Sequence, residues 1–327
     1  MPVRPNMRLY SMLGIGGIVI GTLASSPGIA AAAAAHPAHF GTQTCTGTVT
    51  APGVLVGVYA NVVVAGDCVV DAGPADVTGN LTIAAGGGLT AIFGLDDQTG
   101  SGNSDLTVHG NLIVDSGASL LLGCDSTIIT TWGETALESH SSFPCLDDPD
   151  QTAPTLSSHD VIDGSLIAAD PLGVVLHHTL VRGDVIEKKG GAGLGCVPAG
   201  IFKQYLHYPE YSDYEDNTID GNVALVGLDT CWFGTHRNTV HGSMTVDDNV
   251  CGKDCMEVDT SVIYGNLSCW DNSPAVELGD GNGSPDQVGG DATGECGFRV
   301  LLPNPAPDDG VDVTPTYQPA AVKLHHR

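Results

Sequence analysis

The sequence predicts an all-β fold, a single-stranded parallel β-helix or β-solenoid, wound in coils of about 20–25 residues. Three observations predict it. A short phrase recurs at near-regular intervals, apolar residues alternate around it, and the composition favours short strands and tight turns.

The phrase is a β-branched residue, any residue, Gly, then Asn, Asp or Ser, then usually an apolar residue. It reads Val77-Thr78-Gly79-Asn80-Leu81, Val108-His109-Gly110-Asn111-Leu112, Ile162-Asp163-Gly164-Ser165-Leu166 and Val181-Arg182-Gly183-Asp184-Val185. It returns at Ile219-Asp220-Gly221-Asn222-Val223, Val240-His241-Gly242-Ser243-Met244, Ile263-Tyr264-Gly265-Asn266-Leu267 and Val288-Gly289-Gly290-Asp291-Ala292. Val58-Tyr59-Ala60-Asn61-Val62 is a degenerate first copy. Gly164 and Gly183 stand 183 − 164 = 19 residues apart, and the steps from Gly221 through Gly242 and Gly265 to Gly290 are 21, 23 and 25. The step of 38 from Gly183 to Gly221 reads as twice 19. The steps of 31 and 54 around Gly110 call for an insertion and a hidden coil or two.

Counted from each Gly, positions −2, +2 and +4 are apolar in most copies, as in Val77, Leu81, Ile83 and Val240, Met244, Val246. Strand side chains alternate faces, so these three project to one side, and only stacked coils could bury them. Gly suits a bend or a close backbone approach, and the Asn, Asp or Ser after it can bond neighbouring backbone. With 44 Gly and 5% aromatics, the composition does not suit a helical bundle.

Residues 1–35 read as a signal peptide: Arg4 and Arg8, an apolar stretch from Leu9 to Ala24, then the small residues Ala30–Ala35, with an uncleaved N-terminal anchor as the competing reading. The part beyond it carries 11 − 2 = 9 basic residues against 38 acidic ones, a formal charge of −29. Such a surface excludes nucleic acid and anionic lipid as partners. It suits a cation, a polysaccharide or other neutral polymer, or a basic cell-surface component, in a secreted, extracellular setting without membrane attachment after cleavage. All ten cysteines lie beyond the leader, which favours disulfides. Cys45–Cys68, Cys124–Cys145 and Cys251–Cys255 are the expected local bridges. A Pro-rich polar tail follows, over 301–327.

As a repeat pattern over roughly residues 45–300, the chain resembles the exported right-handed parallel β-helix proteins, the superfamily that includes pectate lyases. The resemblance implies a right-handed solenoid. It makes a Ca²⁺-dependent polysaccharide lyase, or a glycoside hydrolase using paired acids, the enzymatic alternative to a non-catalytic interaction or structural protein. No nucleophile-elbow, zinc-protease, phosphate-loop or dinucleotide fingerprint occurs in its required context.

Candidate site residues lie at departures from the repeat. One insertion spans 124–160 and holds Trp132, His140 and the acidic run Asp147-Asp148-Pro149-Asp150. The other spans 194–216 and contains Tyr205, Tyr208, Tyr211 and Tyr214. Tyr205, Tyr208 and Tyr211, with Trp232 and Trp270, could stack on sugar rings. The same rings could instead cover the solenoid flank. Just past the repeated strand, Asp170, Asp248 and Asp271 share one offset. In register they would form an oxygen-rich column for Ca²⁺, although Asp is also a common turn former and Lys189 interrupts the pattern. Asp280, Asn282 and Asp286 lie in a Gly-rich stretch that partly resembles the front half of a calcium loop. A lyase would need a base beside such a site. Arg237 serves as that base candidate, with Asp248 and Asp271.

Overall fold

The computed structural model describes residues 38–92, 104–123, 159–206, 208–252, 255–278 and 285–297. Within them the strands form an 18-stranded sheet and an 8-stranded sheet, and every strand pair is parallel. Long parallel sheets of this kind are compatible with a β-solenoid. A first strand, Ala38–Cys45, pairs with Gly57–Val64, so the sheet begins ahead of the first expected bridge cysteine.

The repeated phrase falls where the chain bends between two strands of the larger sheet. Val77 pairs with Val108, Val108 with Ile162, Ile162 with Val181, Val181 with Ile219, and so through Val240 and Ile263 to Val288. Among the described residues, the steps of 31, 38 and 54 place no further strand between these paired positions. Each is a single step between hydrogen-bonded neighbours, lengthened by an insertion that leaves the ladder intact. The glycines form their own ladder: the N–H of Gly110 donates to the carbonyl of Gly79, and Gly164, Gly183, Gly221, Gly242, Gly265 and Gly290 each donate to the preceding glycine at 2.8–3.1 Å. A Cβ on Gly265 would stand 2.6 Å from the Gly242 carbonyl, so only glycine permits this approach.

The residue after each glycine extends the ladder through its side chain. Asn80 Oδ1 accepts from the Asn111 N–H, Asn111 Oδ1 from the Ser165 N–H, and Ser165 Oγ from the Asp184 N–H. Asp184, Asn222, Ser243 and Asn266 repeat the pattern on the next coils. Each satisfies a backbone donor that a turn would otherwise leave open. The residue before the glycine faces water, and several of these side chains pair across neighbouring strands: His109 meets Asp163, Asp163 meets Arg182, and His241 meets Asp220.

Inside, the predicted apolar columns are present. Leu81, Leu112, Leu166, Val185, Val223, Met244 and Leu267 stack in register and are buried. In the adjacent column Glu187 replaces an apolar residue. It is fully buried and accepts from Ser212 Oγ at 2.8 Å and Tyr214 Oη at 2.6 Å. Burial pushes its carboxyl up to about 7, against the two hydrogen bonds.

Eight of the cysteines are paired as four disulfides: Cys45–Cys68, Cys196–Cys231, Cys251–Cys255 and Cys269–Cys296. Two are the expected bridges and two join residues not paired in advance. Cys124 and Cys145, most of the first insertion and the C-terminal tail lie outside the described residues. The second insertion is shorter than expected, because Ser212–Glu215 is a strand of the smaller sheet. Its π-helix Phe202–Leu206 lies against that sheet, with Ile201 over Gly88 and the Phe202 ring over Gly173.

Candidate functional site

The smaller sheet buries both of its faces along the strands Gly173–His177, Ser212–Glu215, Phe233–His236 and Met256–Asp259. Alternation assigns Val174, Leu176, Tyr214, Phe233, Met256 and Val258 to the core side. The opposite side carries His177, Asp213, Glu215, His236, Glu257 and Asp259. Cross-strand register sets His177 beside Glu215, Glu215 beside His236, and His236 beside Asp259.

The contacts within this row are short. His177 Nε2 lies 3.0 Å from Asp213 Oδ2, and neither side chain has any exposure. His236 Nδ1 lies 2.8 Å from Asp259 Oδ1, and its Nε2 3.3 Å from Glu257 Oε2. Arg237 donates from Nη2 to Glu215 Oε2 at 2.6 Å and from Nε to Asp216 Oδ1 at 2.9 Å. The Trp232 ring stacks on His236 at 5.9 Å, and Gly234 leaves the space it occupies. Tyr211 meets Trp232 edge-on at 5.6 Å and Phe202 at 5.3 Å.

Burial and charge pull the row's protonation in opposite directions. Burial alone would depress the His177 imidazole, but the carboxylates of Asp213 and Glu215 outweigh it and raise its pKa. His236 is raised further by Asp259, Glu257 and Glu215, again against burial. Burial and the Glu215 charge push Asp213 up to about 7, whereas the Arg237 guanidinium and the two imidazoles overcome burial and hold Glu215 well below the usual carboxylate range. Two carboxyls two residues apart thus differ sharply in proton affinity.

The expected site residues do not assemble into one groove. Asp170, Asp248 and Asp271 do occupy one corner column, but Lys189 and Gly227 stand between Asp170 and Asp248, and only Asp248 and Asp271 lie on neighbouring coils. All three adopt left-handed backbone, with φ of 56°, 57° and 56°, and Lys189 and Gly227 do the same between them, with φ of 60° and 74°. The column selects residues that tolerate this conformation, which accounts for Asp there without a cation. Asp170 accepts from Ser116 Oγ at 2.7 Å.

Arg237 sits at a different corner, after the smaller-sheet strand, and is held by Glu215 and Asp216 rather than beside Asp248 and Asp271. Asp286 Oδ1 accepts from the Ser261 N–H at 2.7 Å, continuing a ladder that runs through Asn217, Asn238 and Ser261. Its companions Asp280 and Asn282 lie outside the described residues. Tyr211 and Trp232 are buried and offer no face for a sugar, because packed rings remove more apolar area from water than exposed ones. Tyr205 and Tyr208 pack against the core edge, and Trp270 is exposed.

The buried row had a signal in the sequence. Six residues before the repeat glycine, four successive copies hold His177, Glu215, His236 and Asp259. An apolar reading of the repeat passes over that offset.

The chain matches no family model, no curated protein and no solved structure. Four disulfides fit an oxidising, extracellular environment, and among the described residues no helix is long and apolar enough to cross a membrane.

Proposed function

We propose that the chain is exported and that its mature part is a right-handed parallel β-helix with coils of about 20–25 residues. In this reading it serves as a non-catalytic extracellular solenoid that presents an acidic surface to a polysaccharide or a cell-surface component. Support for the coil comes from the paired positions, which advance by 181 − 162 = 19, 240 − 219 = 21, 263 − 240 = 23 and 288 − 263 = 25 residues. Support for the hand comes from the strong preference of parallel crossovers for right-handed connection.

One observation carries the functional reading. The acid and base groups that converge are sealed, with His177 and Asp213 wholly buried, while the exposed Asp residues of the corner column answer a backbone need. A polymer substrate needs its catalytic carboxyls within reach. The test is a depolymerisation screen on neutral and acidic polysaccharides, with and without Ca²⁺, run beside sedimentation with insoluble glycans and cell walls. Binding without chain cleavage is the expected result. Cleavage abolished by Asp213→Asn or by Asp248→Ala would overturn it. The hydrolase alternative draws on the divergent proton affinities of Asp213 and Glu215, a division that acid–base catalysis exploits.

A further inference from the structure

We propose that His177, Asp213 and Glu215 form a binding site for one divalent transition-metal ion, with Zn²⁺ the best match. The site is separate from the exposed Asp residues of the corner column, and it stands whether or not the solenoid binds a polymer.

The geometry is built by the parallel register. His177 ends the strand Gly173–His177, and its partner across the ladder is Glu215. Asp213 lies two residues before Glu215, on the same face of the neighbouring strand. One imidazole nitrogen and one oxygen from each carboxylate lie within 4.8 Å of one another, and all three side chains are buried. Ligand bonds to Zn²⁺ are about 2.0–2.2 Å and its coordination is tetrahedral, so donors around one ion lie roughly 3.4 Å apart. Small side-chain rotations close the difference.

Two further observations call for a ligand there. His177 Nδ1 and Asp213 Oδ1 are buried atoms without a hydrogen-bond partner, on side chains with no exposure at all. An orphaned buried polar atom is costly, and a metal ion satisfies it. The second observation is charge. Five carboxylates gather along the row and its corner, Asp213, Glu215, Asp216, Glu257 and Asp259, against one guanidinium, Arg237. Side-chain cations are scarce, since the sequence from 36 to 181 contains no Lys or Arg. A divalent ion would add positive charge among these carboxyls.

The donor set selects the metal. Ca²⁺ takes oxygen ligands alone, whereas one imidazole with two carboxylates suits Zn²⁺, Co²⁺ or Mn²⁺. His236 is not a member, because Asp259 and Glu257 already engage both its nitrogens. Arg237 positions Glu215 from the side. Bound there, the ion would clasp the coil that carries the tyrosine insertion to the coil before it.

The test uses the full mature chain without a histidine tag, stripped with chelator and then dialysed against Zn²⁺, Co²⁺, Mn²⁺ or Ca²⁺ in turn. Metal analysis is expected to find about one equivalent of Zn²⁺ or Co²⁺ per chain, with a Co²⁺ visible spectrum and a raised melting temperature, and no retained Ca²⁺. His177→Gln and Asp213→Asn should each lose the bound ion, while Asp248→Ala keeps it. A stripped wild-type chain that takes up no Zn²⁺ and gains no thermal stability from it would overturn the proposal, even if the variants fail to fold. Equal uptake by wild type and folded His177→Gln would overturn it as well.

Discussion

Single side chains in this protein are chosen by the coil beneath them. Asn80, Asn111 and Asn222 matter because each offers one acceptor to the next backbone N–H, and the glycines matter because a Cβ would strike a carbonyl. Such demands recur at fixed offsets and could be read directly from the sequence. Glu187 could be read only as an exception, a charge-bearing residue at an apolar offset. Its raised pKa has a defined sign. The folded chain holds this proton more tightly than the unfolded one, so the group's contribution to stability is full below pH 4.5 and falls as pH rises towards about 7. The loss amounts to at most about 3 kcal/mol. Glu187→Gln stays neutral and should flatten that part of the profile. Urea unfolding of both proteins from pH 4.5 to 8 measures it: the difference should swing towards the variant as pH rises, and parallel curves would refute the assignment.

At the level of elements, insertions lengthen individual steps of the ladder without altering its register. The step from Val181 to Ile219 carries a π-helix and Cys196, whose disulfide partner Cys231 lies past Ile219, yet Val181 and Ile219 pair directly. From sequence the 38-residue interval looked like two coils because 38 is twice 19, a coincidence that periodicity cannot expose. The tyrosine insertion was visible as a cluster of rings, but whether rings cover a flank or face a ligand depends on contacts with distant strands. Here Ile201 and Phe202 reach Gly88 and Gly173. The disulfide tethers this cover. Replacing Cys196 and Cys231 by Ala should destabilise the protein by about 3–4 kcal/mol and open the insertion to protease. Limited proteolysis with mapping of the cut sites checks this: cleavage between residues 194 and 211 is expected in the variant at protease levels that leave the parent intact. Equal resistance would show that packing alone holds the segment.

Across the whole molecule, one set of rules repeats from coil to coil: glycine at the bend, an acceptor after it, a left-handed corner, and apolar columns within. The acidic balance leaves few side-chain cations, and the buried row on the smaller sheet gathers several carboxyls around Arg237. That row was not legible from composition, because its members are separated by 36 residues between His177 and Asp213 and by 23 between His236 and Asp259, and only the register unites them. The register is therefore the claim on which the rest depends. Thr82, Ile113, Ile167, Ile186, Ala224, Thr245 and Ser268 form one outward column of paired positions. Spin labels placed at Ile113 and Thr245, and separately at Thr82 and Ser268, measure it by pulsed electron paramagnetic resonance. Four and six coil steps of about 4.8 Å predict separations near 19 and 29 Å, allowing for label length. Distances that fail to grow with the number of intervening coils would contradict the stacked arrangement.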